Sequence, residues 1–252
     1  MQNRWLLTLQ FFESPEHALE RAVPDGTQCN GPHEISDRTA ESLAKLHRPI
    51  AEFVEVAARL GERAVSIAGD CCASIPVLAG LQRAGLKTTV VWIDAHGDFN
   101  TPETSPSQFL GGMPLAMIVG RGPQWMCDSV GMKPQPEHRV WLIDGRDLDP
   151  LERSALDASA VRRTGMSGLA TLKIAGPVWV HLDVDVLDSD EAPASNYPVK
   201  GGPGVEESVG ACNAFARNND IVALSVSGWA GSLDTDGSTA KACNELIGSL
   251  LI

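Results

Sequence analysis

Thr88-Thr89-Val90-Val91-Trp92-Ile93-Asp94-Ala95-His96-Gly97-Asp98 is an apolar run that ends abruptly in two aspartates and a histidine. Pro177-Val178-Trp179-Val180-His181-Leu182-Asp183-Val184-Asp185 repeats the pattern: an apolar run, then two aspartates, with Asp188 three residues further on. Both runs are apolar at successive positions, as strands are when helices cover both faces of their sheet. Both deliver their acids where such a strand ends.

Working outward, further short apolar runs read as strands: Trp5–Leu9, Ala64–Ala68, Thr88–Ile93, Arg139–Ile143, Pro177–Leu182 and Ile221–Val226. Helical periodicity lies between them, over Ala51–Leu60, Ser74–Ala84, Leu151–Ala160, Glu206–Asn218 and Thr239–Leu250. Strand and helix in alternation predict an α/β protein with a mainly parallel sheet covered on both faces. No linker or charge run divides the 252 residues, so a single domain over 1–252 is expected. Ligands of such folds bind beyond the carboxyl ends of the strands, which is where the two acidic motifs fall.

The composition narrows the function classes. A formal net charge of −12 argues against nucleic acid and against an anionic membrane as partners. No apolar stretch approaches a membrane span and no secretory signal is visible, so a cytoplasmic protein is expected. The six cysteines, Cys29, Cys71, Cys72, Cys127, Cys212 and Cys243, form no disulfide framework or zinc-type CxxC pattern and are expected to be reduced.

Residues two apart in extended chain point to the same side. Asp94, His96 and Asp98 are therefore expected to converge, and so are Asp183 and Asp185. Packed carboxylates repel one another and lose solvation, so the arrangement holds only if cations neutralise it or protons stay on. Bound metal is the simpler answer. Oxygen-rich ligation with an imidazole suits Mn²⁺, and less specifically Fe²⁺, Zn²⁺ or Mg²⁺. Two such ions about 3.5 Å apart would share a hydroxide formed from acidified water. The competing reading is that the aspartates cap helices or solvate loops. Two such motifs, each on an apolar strand, weigh against it. His33, His47 and His138 lie outside the motifs. His181 reads as a core histidine or as a partner of a carboxylate ligand.

The motifs resemble those of the arginase (ureohydrolase) family, whose signatures are a GGDHS-like turn, DAHxD, and DxDxxDP followed by AP. The matching residues come in the same order: Ala68-Gly69-Asp70-Cys71-Cys72, then Asp94-Ala95-His96-Gly97-Asp98, then Asp183-Val184-Asp185-Val186-Leu187-Asp188 with Ala192-Pro193. The resemblance implies a three-layer α/β/α fold and a pair of Mn²⁺ ions held by Cys71, Asp94, His96, Asp98, Asp183 and Asp185. It also implies hydrolysis of a guanidino C–N bond by a metal-bridging hydroxide, with Asp98 and His96 at the reacting centre. Asn100, Ser105 and Ser107 match positions that bind an amino acid's carboxylate, and Asp149 and Glu152 match those that hold its ammonium. In the same segment, Asp149-Pro150 also reads as a helix N-cap followed by a first-turn proline.

Three departures refine what the resemblance implies. Cys71 stands where the family has a histidine ligand, and a softer thiolate admits Fe²⁺ or Zn²⁺. Gly111 stands where arginases carry a histidine proton shuttle. An N-hydroxylated guanidine is much less basic than arginine's, so its cleavage needs that shuttle less. Nω-Hydroxy-L-arginine, giving L-ornithine and hydroxyurea, is thus the expected substrate, ahead of L-arginine. The chain in this respect resembles the N-hydroxyarginine amidinohydrolase branch, which serves D-cycloserine synthesis. Gly228, in Ser227-Gly228-Trp229, stands where arginases have a guanidinium-binding glutamate, with Asp234 or Asp236 as candidate replacements. A catalytically silent homologue binding metal or an amino acid is the alternative from another class. The expected partner is a small-molecule substrate, and the chain is expected as a monomer or a homo-oligomer.

Overall fold

A computed structural model describes residues 1–252. Eight strands form one sheet: β1 (Asn3–Leu7), β2 (Gln28–Cys29), β3 (Arg63–Ile67), β4 (Thr89–His96), β5 (Val140–Asp147), β6 (Arg162–Thr164), β7 (Pro177–Asp183) and β8 (Asp220–Ser227). They lie in the order 2-1-3-8-7-4-5-6, and every neighbouring pair is parallel. A two-stranded hairpin, Gln10–Phe11 with Ser14–Pro15, stands apart from the sheet.

Helices cover both faces. On one side pack α1 (Ala40–Arg59), α2 (Ile75–Arg83), the short α3 (Pro114–Ile118) and α4 (Trp125–Val130), with Leu156 of α5 (Pro150–Asp157) in the same core. On the other lie α6 (Met166–Leu169), α7 (Val205–Asn218) and α8 (Ser238–Leu250). The result is the expected three-layer α/β/α arrangement. Alternation along the strands divides the side chains. In β4, Val90 and Trp92 join the first core while Val91 and Ile93 join the second. In β7, Trp179 faces the first and Val178, Val180 and Leu182 face the second. Asp94, His181 and Asp183 continue the Trp92/Trp179 side.

Several boundaries differ from the sequence reading. β4, β5 and β7 run on through Asp94–His96, Asp144–Asp147 and Asp183, because neighbouring strands keep pairing with their polar ends. α1 begins at Ala40, not Ala51; it carries Pro49 in its interior and starts at Thr39, whose side chain accepts from the amide of Ser42. Burial of Leu43, Leu46 and Ile50 on one face outweighs the proline's lost hydrogen bond. No helix is long and apolar enough to cross a membrane.

Candidate metal centre and substrate cavity

Each metal-type side chain arrives from a strand end or the turn after it. Asp94 and His96 close β4 and Asp183 closes β7, all as strand residues. Asp98 and Asp185 get there differently, which corrects the expectation from strand alternation. Asp98 sits in left-handed backbone at φ 49°, so a turn aims it. Asp185 lies in the single helical turn Val184–Val186, whose first amide pair is organised by Asp183: Asp185 N donates to Asp183 Oδ1 at 2.9 Å. Cys71 opens a similar turn, Cys71–Ser74, capped by Asp70, which accepts from the Cys72 amide.

Two donor groups result. Ligand atoms of Cys71, Asp94, His181 and Asp183 all lie within 4.8 Å of one another, and so do those of Asp94, His96 and Asp185. Cys71 Sγ donates to Asp183 Oδ2 at 3.0 Å. His96 Nδ1 lies 3.0 Å from Asp185 Oδ2 and 3.5 Å from Asp94 Oδ1. Asp98 belongs to neither group at that spacing, although it lines the same cavity. Its Oδ2 is buried and has no hydrogen-bond partner.

The electrostatics are those of a cation site. Burial, then the charges of Asp94 and Asp183, pushes the Asp98 carboxyl well above its usual range. Burial, then Asp183 and Asp94, does the same to Asp185. Burial also raises Cys71, reinforced by Asp98, Asp183 and Asp94, so without metal it is a thiol. Burial works against charge on His96, but Asp185 and Asp94 outweigh it and raise the imidazole to about 12. Divalent cations would release these protons and satisfy the orphaned Asp98 oxygen. The donor set of carboxylates, imidazole and thiol fits such ions.

The cavity, about 350 Å³, extends from these groups to Asn100, Ser105, Ser107, Asp149 and Glu152. The sequence-predicted substrate residues therefore share one space with the metal-type residues. Asn100 Nδ2 donates to Asp149 Oδ2 at 3.0 Å. Glu152 lines the cavity and also braces the backbone. Its Oε1 accepts from Phe99 N at 2.8 Å and its Oε2 from Asp149 N at 3.2 Å. Both oxygens thus hold backbone, joining the DAHGD loop to the start of α5. The Asp149-Pro150 helix start is as expected. Asp188 lies outside the cavity and accepts from the amides of Asp190 and Gly201.

The two glycines have steric causes. A Cβ at Gly111 would fall on the Phe109 ring. Gly228 has φ +82°, and a Cβ there would overlap the Asp183 carboxylate. Neither Asp234 nor Asp236 replaces the glutamate expected at 228. Asp234 turns to the Trp229 indole and the Ala240 amide, and Asp236 to the Ser238 amide.

Sequence reasoning missed the aromatic wall of Phe11, Phe109 and Tyr197, in which Phe109 lies 6.4 Å from Phe11 and 5.0 Å from Tyr197 between ring centroids. Those residues sit in a hairpin and two loops with no periodic signal. It also missed Asp147, whose Oδ2 is 3.8 Å from His96 Nε2. That one was findable, since it is another acid at a strand end. His181 pairs with two serines, not with a carboxylate: Nδ1 lies 2.9 Å from Ser225 Oγ and Nε2 3.3 Å from Ser227 Oγ. His47 is a buried core histidine, held neutral by burial at about 4.

Fold and site together define an α/β/α protein whose parallel strands end in a centre suited to a pair of divalent metals. Comparison with known proteins specifies it: residues 17–252 match the arginase family, and the chain belongs to that family. It is 32% identical over 237 residues to arginase of Bacillus caldovelox, covering 86% of this chain and 79% of that one. It is 34% identical over 200 residues to arginase of Bacillus subtilis, covering 73% and 67%. Among solved structures, arginase from Bacillus cereus superposes with a TM-score of 0.83 at 26% identity, over 99% of this chain and 98% of that one.

Proposed function

We propose that the chain, acting as one catalytic domain, is a dinuclear-metal amidinohydrolase that cleaves the guanidino C–N bond of an arginine-like amino acid. Nω-Hydroxy-L-arginine is the preferred substrate, with L-ornithine and hydroxyurea as products. The observation that carries the reading is one cavity lined by both the metal-type donors and the amino-acid-type donors, with no side chain at Gly111 or Gly228.

Asp94, Asp183, Asp185, His96, Cys71 and Asp98 would hold two ions, Mn²⁺ by the family pattern, with Fe²⁺ or Zn²⁺ admitted by Cys71. Bound there, the ions supply a water acidic enough to attack near neutral pH. Asn100, Ser105 and Ser107 orient the substrate carboxylate, and Asp149 its ammonium. Glu152 keeps the loop bearing Asp98 against α5. Asp98 takes up the proton that the attacking water gives up and passes it to the departing δ-amine. The ring of Phe109 fills the side where a shuttle would stand, which suits a guanidino group less basic than that of L-arginine. One water is consumed, and the amine and the hydroxyurea leave as neutral products after proton transfer.

L-Arginine is the second reading, favoured by the name arginase on the relatives above. Product release from both substrates with added Mn²⁺ separates the two. Faster hydroxyurea release from the hydroxylated substrate is expected. Urea release from L-arginine at an equal or greater rate would overturn the preference, and no hydrolysis of either would overturn the enzyme.

A further inference from the structure

We propose that the aromatic wall of Phe11, Phe109 and Tyr197 is a subsite for an apolar group on the distal guanidino nitrogen, so that the cavity also takes Nω-alkoxy-L-arginines and cleaves them to L-ornithine and an N-alkoxyurea. This names a further substrate class for the proposed reaction and rests on that reading.

The lining residues divide by chemistry. With the metal-type donors at the guanidino carbon, and Asn100, Ser105, Ser107 and Asp149 at the amino-acid end, the distal nitrogen faces what remains of the lining. The acids left there are already engaged. Asp70 accepts from the amides of Phe12 and Cys72, each at 3.0 Å, and Asp147 lies beside His96. Ser195 Oγ accepts from Tyr197 N at 3.1 Å. Two contacts set the rings at this end. Phe11 adjoins the turn that bears Cys71, since Gly69 N donates to Gln10 O at 2.9 Å. Phe109 lies over Gly111, where a Cβ would meet the ring.

The wall is fixed yet uncovered. Buried Phe12 meets Phe109 edge-on at 5.9 Å between centroids, and Phe109 N donates to Ser107 Oγ at 3.2 Å. The loop bearing Tyr197 is anchored where Ala194 N donates to Thr239 Oγ1 at 3.1 Å and Ala194 O accepts from Ala230 N at 2.9 Å. Phe11 and Phe109 are nonetheless only half-buried, and Tyr197 is 48% exposed. Open space therefore lies before rings that need no rearrangement to receive an apolar group, and such a group leaves water as it covers them.

Basicity selects the linkage. An oxygen on the distal nitrogen keeps the guanidine weakly basic, whether hydrogen or carbon stands beyond it. An Nω-alkyl arginine would reach the same rings but stays strongly basic, and Phe109 fills the side where a proton shuttle would help it. In the reaction one water is consumed. Its oxygen bonds to the guanidino carbon, the bond from that carbon to Nδ breaks with its electron pair going to Nδ, and Nδ takes a proton by way of Asp98.

The test compares Nω-methoxy-, Nω-ethoxy- and Nω-propoxy-L-arginine with Nω-hydroxy-L-arginine on the Mn²⁺-loaded chain. All are expected to release L-ornithine, and kcat/KM should rise about fourfold with each added carbon, the worth of one buried methylene. Phe109→Ala should remove most of that rise. Should this variant not fold, Tyr197→Ala, which alters an exposed ring, is expected to remove the last step. Three results would overturn the subsite: cleavage of the hydroxylated compound but of no alkoxy compound, a rate that does not rise with chain length, or a rise that survives in the folded variants. Nω-Methyl-L-arginine cleaved as fast as the methoxy compound would overturn the choice of alkoxy compounds. If no guanidino compound is cleaved, the proposed reaction falls, and calorimetric dissociation constants of the same series then decide the subsite: about fourfold tighter binding per carbon upholds it, and indifference to length overturns it.

Discussion

Asp98 carries a buried oxygen with no partner, in a space already holding the charges of Asp94 and Asp183. Its cost without metal and its use with metal have opposite signs. Asp98→Asn removes one of the mutually repelling acids while keeping the shape. The metal-free variant is expected to melt higher than the metal-free wild type, and the metal-loaded variant to lose about a hundredfold or more in turnover. Thermal midpoints with and without chelator, beside a turnover assay, check both. Gly228 is a second residue whose role is local. Its φ of +82° and the Asp183 carboxylate leave no room for a side chain. Gly228→Ala is expected to displace Asp183, to cost about 1–3 kcal/mol in denaturant unfolding, and to lower metal affinity.

Among elements, the start of α5 decides how the loop after β4 is held. Glu152 takes the amides of both Phe99 and Asp149, so Glu152→Ala leaves two buried donors unpaired and is expected to cost about 1–3 kcal/mol. Burial raises Glu152 from its ordinary 4.5 to about 7, against the two amides that favour its charge. A folded-state value above the unfolded one means that the native chain binds more protons between the two. The stability from this group is thus complete below about 4.5 and lost as pH rises through about 7. Glu152→Gln should reduce the loss of stability between pH 5 and 7.5, read as denaturant midpoints at each pH; an undiminished loss would count against the buried acid. The core strands were legible in the sequence because burial on both faces leaves continuous apolar runs, as in Val90–Ile93. Their polar ends were not, since Asp94 and Asp144 pair as strand residues despite their chemistry. Asp98 and Asp185 were legible as chemistry but not as geometry, because turns place them. Pro49 hid the first half of α1. Phe11, Phe109 and Tyr197 were invisible, because only the tertiary fold brings those loops together.

The whole molecule stacks two helical layers on a sheet whose eight strands all run parallel, so all their carboxyl ends share one edge. That arrangement, with a net charge of −12, concentrates acid where only cations relieve it. Stability and metal binding should be coupled as a result. At a free metal concentration a hundred times the dissociation constant, each ion adds about 2.7 kcal/mol. For a chain of this size that corresponds to roughly 5–10 °C per ion. Calorimetry with Mn²⁺, then with chelator, should show the rise and its reversal; a midpoint indifferent to metal would count against a shared site.

The most direct measurement is a crystal structure of the metal-loaded chain with anomalous data at the manganese and zinc edges. Two adjacent peaks are expected, with Asp94 touching both and Asp183 and Asp185 facing them. A cavity without peaks, or carboxylates turned away from one another, would contradict the claim that these acids exist to hold a pair of cations.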